Sequence, residues 1–558
     1  MIDRDVGLRP ETSVRRLAVG AVMLISIAIN FRHVLSAPAV YLGGDPDAVA
    51  MALWHTWWPQ FGLLLPDALA LTAYSGAPFM ANHLRYMPIM QSFLFGAFNR
   101  LVDPVLAMNL VLMSCQAATH YFLYRMLRTL PANYLLALAG ATAFVLSPWY
   151  SSKASQSDVI AIALWPLPLA ITMWSSWLRS PRTMLAIILA GVVWLAVLNG
   201  LQNMAWIVAL LLPYFVYTWS RQRALMSHPP SGHLRNGDQV ALICLLLTVL
   251  LLLYPAPNVV RTTNSGEAAY AAADSVASGG ILNLLMRTAP AVWFCAALVL
   301  VTPISIRSAR PWFVLGAANI VFALGLLPGP LDLVSGALRL RLSALHTPDA
   351  FWPPAMLAMT VFAVLGWTKW QRTQPSKTAV TLTVIVAVGL VGAGIISPAD
   401  RGLVQHTSSA ATAFYAQVAG DPEDFLILQY PFGLHNLQDG QATGGSAHLV
   451  QYAVWHHKRT LSGVAPHFTP AVHAAFAEVP FLHPLGDASD SANTAVKLAQ
   501  AVQEWRIGYV VLHTELLDEH QQWWLKLLVS QSNALCPGVQ RGSLLVFRAR
   551  WYPAGCLP

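Results

Sequence analysis

Apolar stretches of membrane-spanning length recur along this chain, separated by short polar breaks. A helix rises 1.5 Å per residue, so roughly 20 apolar residues cross a bilayer core of about 30 Å. On that measure the pattern predicts about eleven transmembrane helices. They fall near 15–37, 104–125, 132–149, 158–178, 183–200, 202–219, 239–256, 284–305, 311–328, 351–369 and 378–397. The first run follows Arg15 and Arg16 and precedes Ala37-Pro38-Ala39, the outline of a cleaved leader. Arg32-His33 interrupts it and many spans follow, so it reads as an uncleaved first span.

Two regions are longer than connectors: a first loop, 38–103, and a polar tail, 398–558. In the loop, Ala48 to Leu65 is apolar and clusters Trp54, Trp57 and Trp58, the pattern of a helix lying in the membrane interface. A second such segment, 84-LRYMPIMQSFLFGAFNRL-101, is bracketed by Arg85 and Arg100, and 74-YSGAPFMANH-83 between them is turn-forming. The tail has the pattern of a small α/β domain. Strands are expected at 425-FLILQYPFG-433, 507-IGYVVLHT-514 and 543-SLLVFRAR-550, with a helix at 493-NTAVKLAQAVQEW-505. The fold class is therefore an α-helical polytopic membrane domain, 1–397, followed by an α/β domain, 398–558.

Composition agrees. Of the 558 residues 56% are hydrophobic and 10% charged, against about 25% charged in soluble domains. The net charge of +8 follows topology and implies no nucleic-acid partner. With the N-terminus cytoplasmic, most Arg and Lys fall in inner loops, as the positive-inside rule requires. The opposite short loops hold only Arg85, Arg100, Lys153, Arg261, Arg339 and Arg341, and the tail comes out extracytoplasmic. The inner loops are too short for a catalytic domain, so chemistry is expected at the outer face. Cys115, Cys244 and Cys295 lie in apolar segments; Cys536 and Cys556 flank the last strand. An oxidising compartment permits a bridge between those two, and free thiols are the alternative. No G-x-S-x-G, Walker or Rossmann signature is present.

The candidate chemistry lies in 41-YLGGDPDAVAMALWHTWWP-59. Pro46 biases Asp45 toward an extended backbone, in which residues two apart point the same way. Asp45 and Asp47 can thus aim both carboxylates at one point, as a general base or as the seat of a divalent cation, Mg2+ or Mn2+. In the alternative, Asp47 caps a helix starting at Ala48 and Asp45 is merely solvated. An enzyme outside the cytoplasm lacks nucleotide sugars, so a lipid-linked donor is the natural substitute. Arg85, Lys153, Arg261, Arg339 and Arg341 are the outer-side cations available to its phosphate. His448, His456, His457, His467, His473 and His483 match no compact metal-ligand spacing and read as structural or solvated.

One span, an acidic outer loop, interfacial helices, many further spans and an outer α/β tail resemble the GT-C superfamily of membrane glycosyltransferases. The segments 425-FLILQYPFG-433, 452-YAVWHHKRTLSG-463 and 505-WRIGYVVLHTELL-517 resemble the C-terminal part of an uncharacterised bacterial branch with such a tail. The resemblance implies a catalytic carboxylate early in the first outer loop, at Asp45 or Asp47. It also implies a polyprenyl-phosphate sugar donor, a glycan, lipid or protein acceptor, and inversion by single displacement. The tail lacks a Trp-Trp-Asp-x-Gly motif, and 345-LHTPDAFWPP-354 lacks the two arginines that the branch often carries there. The rivals are a non-catalytic scaffold on the same frame and a lipid-linked glycan transporter. A transporter should carry ionisable residues inside its spans, where Arg287 is the main one here.

Overall fold

The computed structural model describes residues 13–44, 46–58, 71–72, 81–82, 88–130, 132–180, 182–198, 206–225, 309–323, 351–373, 403–405, 409–431, 447–461, 479–482, 491–553 and 555–556. The chain divides into two compact units. One comprises Met1–Ser36, Leu110–Pro255 and Tyr270–Arg401; the other comprises Ala37–Asn109, Ala256–Ala269 and Gly402–Pro558.

The first unit is helical. Among the described residues, Ser13–Phe31 and Val159–Arg179 are long and apolar enough to cross a membrane. Tyr134–Val145 and Pro148–Ser155 make a third if the pair, bent by 52°, is one span. The bend has a local cause. Ser147 accepts a hydrogen bond from the Tyr150 amide and Pro148 occupies the first helical position, so a new helix starts where the expected span 132–149 should have continued. Expected span 158–178, the candidate Val159–Arg179, carries a short break of its own at 163–165, where no side chain caps the helix that resumes. Asp158 caps the short helix Val159–Ile162 through the Ala161 amide, and the next helix begins at Pro166. Shorter helices lie at Thr183–Leu198, which is apolar over Met184–Ala196, at Arg310–Ala323 and, after a π turn at Ile207–Leu211, at Leu212–Leu225. Trp352–Thr373 covers expected span 351–369. Expected spans 239–256, 284–305 and 378–397 lie outside the described residues.

Small residues set the helix spacing, as they do where lipid supplies no hydrophobic drive for association. A Cβ on Gly140 would stand 2.7 Å from Val364, and one on Gly316 2.8 Å from the Met359 sulfur. Both therefore hold their helices close to Trp352–Thr373. A buried polar network joins Ser13–Phe31 to its neighbours. Asn30 donates to the Gln116 side chain at 2.9 Å and to the Val145 carbonyl at 2.8 Å, and it accepts from Ser151. His120 bridges the Ser26 hydroxyl at 3.1 Å and the Thr142 hydroxyl at 3.2 Å.

The second unit contains pieces of both expected outer regions. Strand β1 (Tyr41–Gly43) comes from the first loop, as do β2 (Leu71–Thr72) and β3 (Ala81–Asn82), which pair antiparallel, β3 falling within the segment 74–83 expected as a turn. Strand β4 (Leu403–Gln405) opens the tail and pairs antiparallel with β1. The tail then builds a five-stranded sheet from β5 (Leu426–Tyr430), β6 (Arg459–Leu461), β7 (Ile507–His513), β8 (Val539–Arg541) and β9 (Leu544–Arg548). Their order is β6-β5-β7-β9-β8, parallel across the first three and antiparallel from β7 onward. Every residue of β5 and β7 is buried, which is why both read as continuous apolar runs without alternation. Leu498 and Val502 of helix Ser491–Glu504 and Leu525 and Leu528 of helix Glu519–Gln531 fill the core with Leu428 and Leu512. A disulfide joins Cys536 to Cys556, with Cα atoms 5.4 Å apart, and this settles the two alternatives left by the sequence.

The tryptophan cluster departs from the interfacial expectation. Trp54, Trp57 and Trp58 are exposed by 0%, 1% and 1%, so none of them is free to lie in a lipid interface. Trp54 stacks on Trp58, and Trp57 stacks on His457 of the tail with ring centroids 5.6 Å apart. Amphipathic spacing marks an apolar face; it does not say whether protein or lipid covers it.

Candidate active site

Asp45 and the side chain of Asp47 lie outside what the structure describes, but the segments on either side of them are defined. β1 enters through antiparallel pairing, with Tyr41 opposite Gln405, Leu42 opposite Val404 and Gly43 opposite Leu403. The buried Asn109 side chain donates to the Pro38 carbonyl at 2.7 Å and to the Tyr41 carbonyl at 3.0 Å, fixing the same strand from another side. Gly44 then turns the chain at φ 125°, a conformation that L side chains avoid. The helix that follows is Pro46–Trp57.

That start corrects one alternative read from the sequence. Pro46, well suited to a first helical position, begins the helix two residues before Ala48. Asp47 is therefore inside the first turn, and the position preceding the helix is residue 45.

Asp103 and Trp455, which the sequence reading did not single out, belong to the same unit. The Asp103 carboxylate accepts the Val105 amide at 2.8 Å. Burial raises its pKa above the ordinary carboxylate value, while the Val105 amide and the Trp455 side chain pull the other way.

Of the five candidate phosphate-binding cations, Lys153 alone falls among the described residues. Arg85, Arg261, Arg339 and Arg341 lie outside the described residues. Lys153, on helix Pro148–Ser155, stands 3.6 Å from the Asp158 carboxylate, so an anion there would compete with an existing partner. Among the described residues no three His, Cys, Asp or Glu side chains come together as a metal site would require.

The histidines of the tail take structural positions where they are described. His456 is fully buried and its Nδ1 accepts the Lys458 amide at 2.9 Å. His457 has φ 54° at the end of its short helix, with Nε2 3.0 Å from the Val454 carbonyl. His448 belongs to the 3-10 helix Ala447–Tyr452; His467, His473 and His483 lie outside the described residues. A further group escaped the sequence reading. Tyr415 donates to Gln429 at 2.8 Å and lies 2.9 Å from His513 Nε2, while Gln429 donates to Thr460 at 2.9 Å. All four side chains are fully buried. They tie helix Ser409–Ala419 to β5, β6 and β7, a closed brace rather than a solvent-reachable reaction centre. No periodicity marks such a group, because its members come from four separate elements.

No protein-family model matches the chain, and no curated protein matches it in sequence. Its fold is that of the GT-C glycosyltransferases, a helical membrane fold. It is similar to the mycobacterial arabinofuranosyltransferase AftD, with a TM-score of 0.51 at 15% identity over 96% of this chain and 40% of that one. A mutant of AftD gives 0.55 at 14% identity, over 96% and 41%. ArnT from Cupriavidus metallidurans, solved with undecaprenyl phosphate, gives 0.50 at 11% identity over 96% of this chain and 98% of that one. The chain spans about two fifths of the length of AftD.

Proposed function

We propose that this protein is a membrane glycosyltransferase that moves a sugar from a polyprenyl-phosphate-linked donor to an acceptor on the extracytoplasmic side. The observation that carries this reading is the fixed approach to the acidic corner. β4, Asn109 and the positive φ of Gly44 together fix the strand that leads into Asp45-Pro46-Asp47. A chain that needed only a surface loop there would have no use for three independent restraints. The likeness in fold to solved glycosyltransferases supports the class of reaction, and undecaprenyl phosphate bound to ArnT supports the class of donor.

In the reaction, Asp45 takes the proton from the acceptor hydroxyl. The freed oxygen attacks the anomeric carbon from the face opposite the phosphate, the carbon–oxygen bond to the phosphate breaks, and the polyprenyl phosphate leaves with the electron pair. The configuration inverts. Cationic side chains from the outer loops, with Arg85, Arg261, Arg339 and Arg341 as candidates, stabilise the developing phosphate charge. Should a divalent cation serve, Asp45 and Asp47 would hold it; no step here depends on one. The two-domain reading, 1–397 and 398–558, stands beside this as a proposal, as do eleven spans and a bacterial cell-membrane location.

Transport has a weaker basis. His120 is an ionisable residue within the helix Pro104–Thr129 that the sequence reading passed over. Both of its ring nitrogens are engaged, by Ser26 and Thr142, so it serves helix packing rather than a path.

The test is Asp45→Asn and Asp47→Asn, assayed for transfer from a polyprenyl-phosphate sugar in full-length protein. Loss of a general base lowers the rate by ~10²- to 10⁴-fold. Normal transfer by both variants would overturn the assignment.

A further inference from the structure

The tail carries a cleft of about 450 Å3, lined among others by Phe414, Tyr509, Arg541, Arg548 and Tyr552. This volume suits a ligand of one or a few rings. It is distinct from the buried Tyr415 brace, and the chemistry proposed at Asp45 makes no use of it.

Its two arginines lie within cation–π range of aromatic rings. The Arg548 guanidinium lies 5.5 Å from the Tyr509 ring centroid and 5.1 Å from that of Tyr552, and Arg541 lies 6.0 Å from that of Phe414. Neither has a carboxylate partner among the described residues. Arg548 donates to the Gly555 carbonyl at 3.1 Å and to the Tyr509 hydroxyl at 3.0 Å, and its Nε is buried without an acceptor. Among the described residues, Arg541 donates to Gln417 alone, at 3.0 Å. A guanidinium has five N–H donors, so most of these two sets remain open. The Tyr552 hydroxyl is also buried without a partner, in a residue only 5% exposed. Buried polar groups in a folded protein are ordinarily satisfied, and orphans lining a cleft point to a ligand that satisfies them. Two carboxylates also line the cleft. Glu423 is turned toward Arg506, 3.6 Å away, and Asp421 accepts the Glu423 amide through Oδ1 at 3.1 Å, which leaves its second oxygen to accept a hydroxyl donor.

Two preorganised forks, a free phenol and one carboxylate match a carboxylate-bearing ring with hydroxyls around it. We infer that this cleft binds an acidic saccharide, a uronic-acid unit, through Arg541, Arg548 and the Tyr552 hydroxyl. A guanidinium recognises a planar carboxylate by paired hydrogen bonds, which an ammonium or an amide cannot reproduce.

The test is equilibrium binding of trigalacturonic acid to the full-length protein in detergent, beside its methyl ester, which keeps the hydroxyls and removes the charge. Binding of the acid, weakened about tenfold or more by esterification and by Arg548→Gln, is the expected result. Arg541→Gln and Tyr552→Phe leave the sheet intact and should each weaken binding severalfold, so a folding failure of one variant does not spare the proposal. Equal binding of acid and ester, full affinity in Arg541→Gln and Tyr552→Phe, or no binding of the acid would overturn it. Displacement by equimolar inorganic phosphate would also overturn it, showing a general anion site. The readout is binding alone, so its failure is separable from a failure of transfer.

Discussion

Asn109 reaches the backbone of Tyr41, donating to its carbonyl at 3.0 Å, and the same amide group holds Pro38 at 2.7 Å. One buried side chain thus fixes the two ends of the segment that feeds β1 and, beyond Gly44, the acidic corner.

Asn109→Ala should therefore act on position more than on folding. Two hydrogen bonds at about 1 kcal/mol each put the stability loss near 2 kcal/mol. Transfer should fall by more than that loss of folded protein explains, because the carboxylate is no longer delivered to a fixed place. Thermal unfolding and initial transfer rates, measured on the same preparation, separate the two. Unchanged transfer per folded molecule would show that β4 pairing alone suffices.

The Cys536–Cys556 bridge pins the end of the chain beside the edge of β9. Removing it by Cys536→Ser frees a loop whose closure contributes ~3 kcal/mol in the chain-entropy model. The thermal midpoint of the tail should drop, and mass spectrometry without reductant should find the wild-type pair linked. Two free thiols in exported wild-type protein would refute the bridge.

Burial pushes the His456 imidazole well below its ordinary value of 6.5, with His457 and Lys458 adding to the shift. Above that ordinary value both folded and unfolded chains hold the ring neutral, and the stability is fully present. As pH falls below about 6.5 the unfolded chain takes a proton that the folded one refuses, so stability declines by up to ~1.4 kcal/mol per pH unit. The midpoint measured from pH 7.5 down to 5 should fall in wild type and flatten in His456→Gln. A wild-type midpoint constant over that range would contradict the buried neutral ring.

Topology is open to a direct measurement. Alkaline phosphatase fused after Arg401 should be active and one fused near Arg223 inactive, since the enzyme matures only outside the cytoplasm. The reverse pattern would remove the extracytoplasmic assignment of the tail and every site placed by it.

What the sequence determined by itself is what depends on neighbours along the chain. Runs of apolar residues mark membrane helices such as Ser13–Phe31, because crossing a bilayer needs only length and apolarity. Buried strands such as β5 and β7 stand out as apolar runs, because both faces of a parallel strand are covered. Tertiary structure decided the rest. Leu42 opposite Val404, Trp57 on His457, and Arg548 between Tyr509 and Tyr552 join residues from separate elements. Periodicity carries no information about such partners. The tryptophans show the reason most directly: their spacing announced an apolar face, but only the packed fold determined that protein, and not lipid, would cover it.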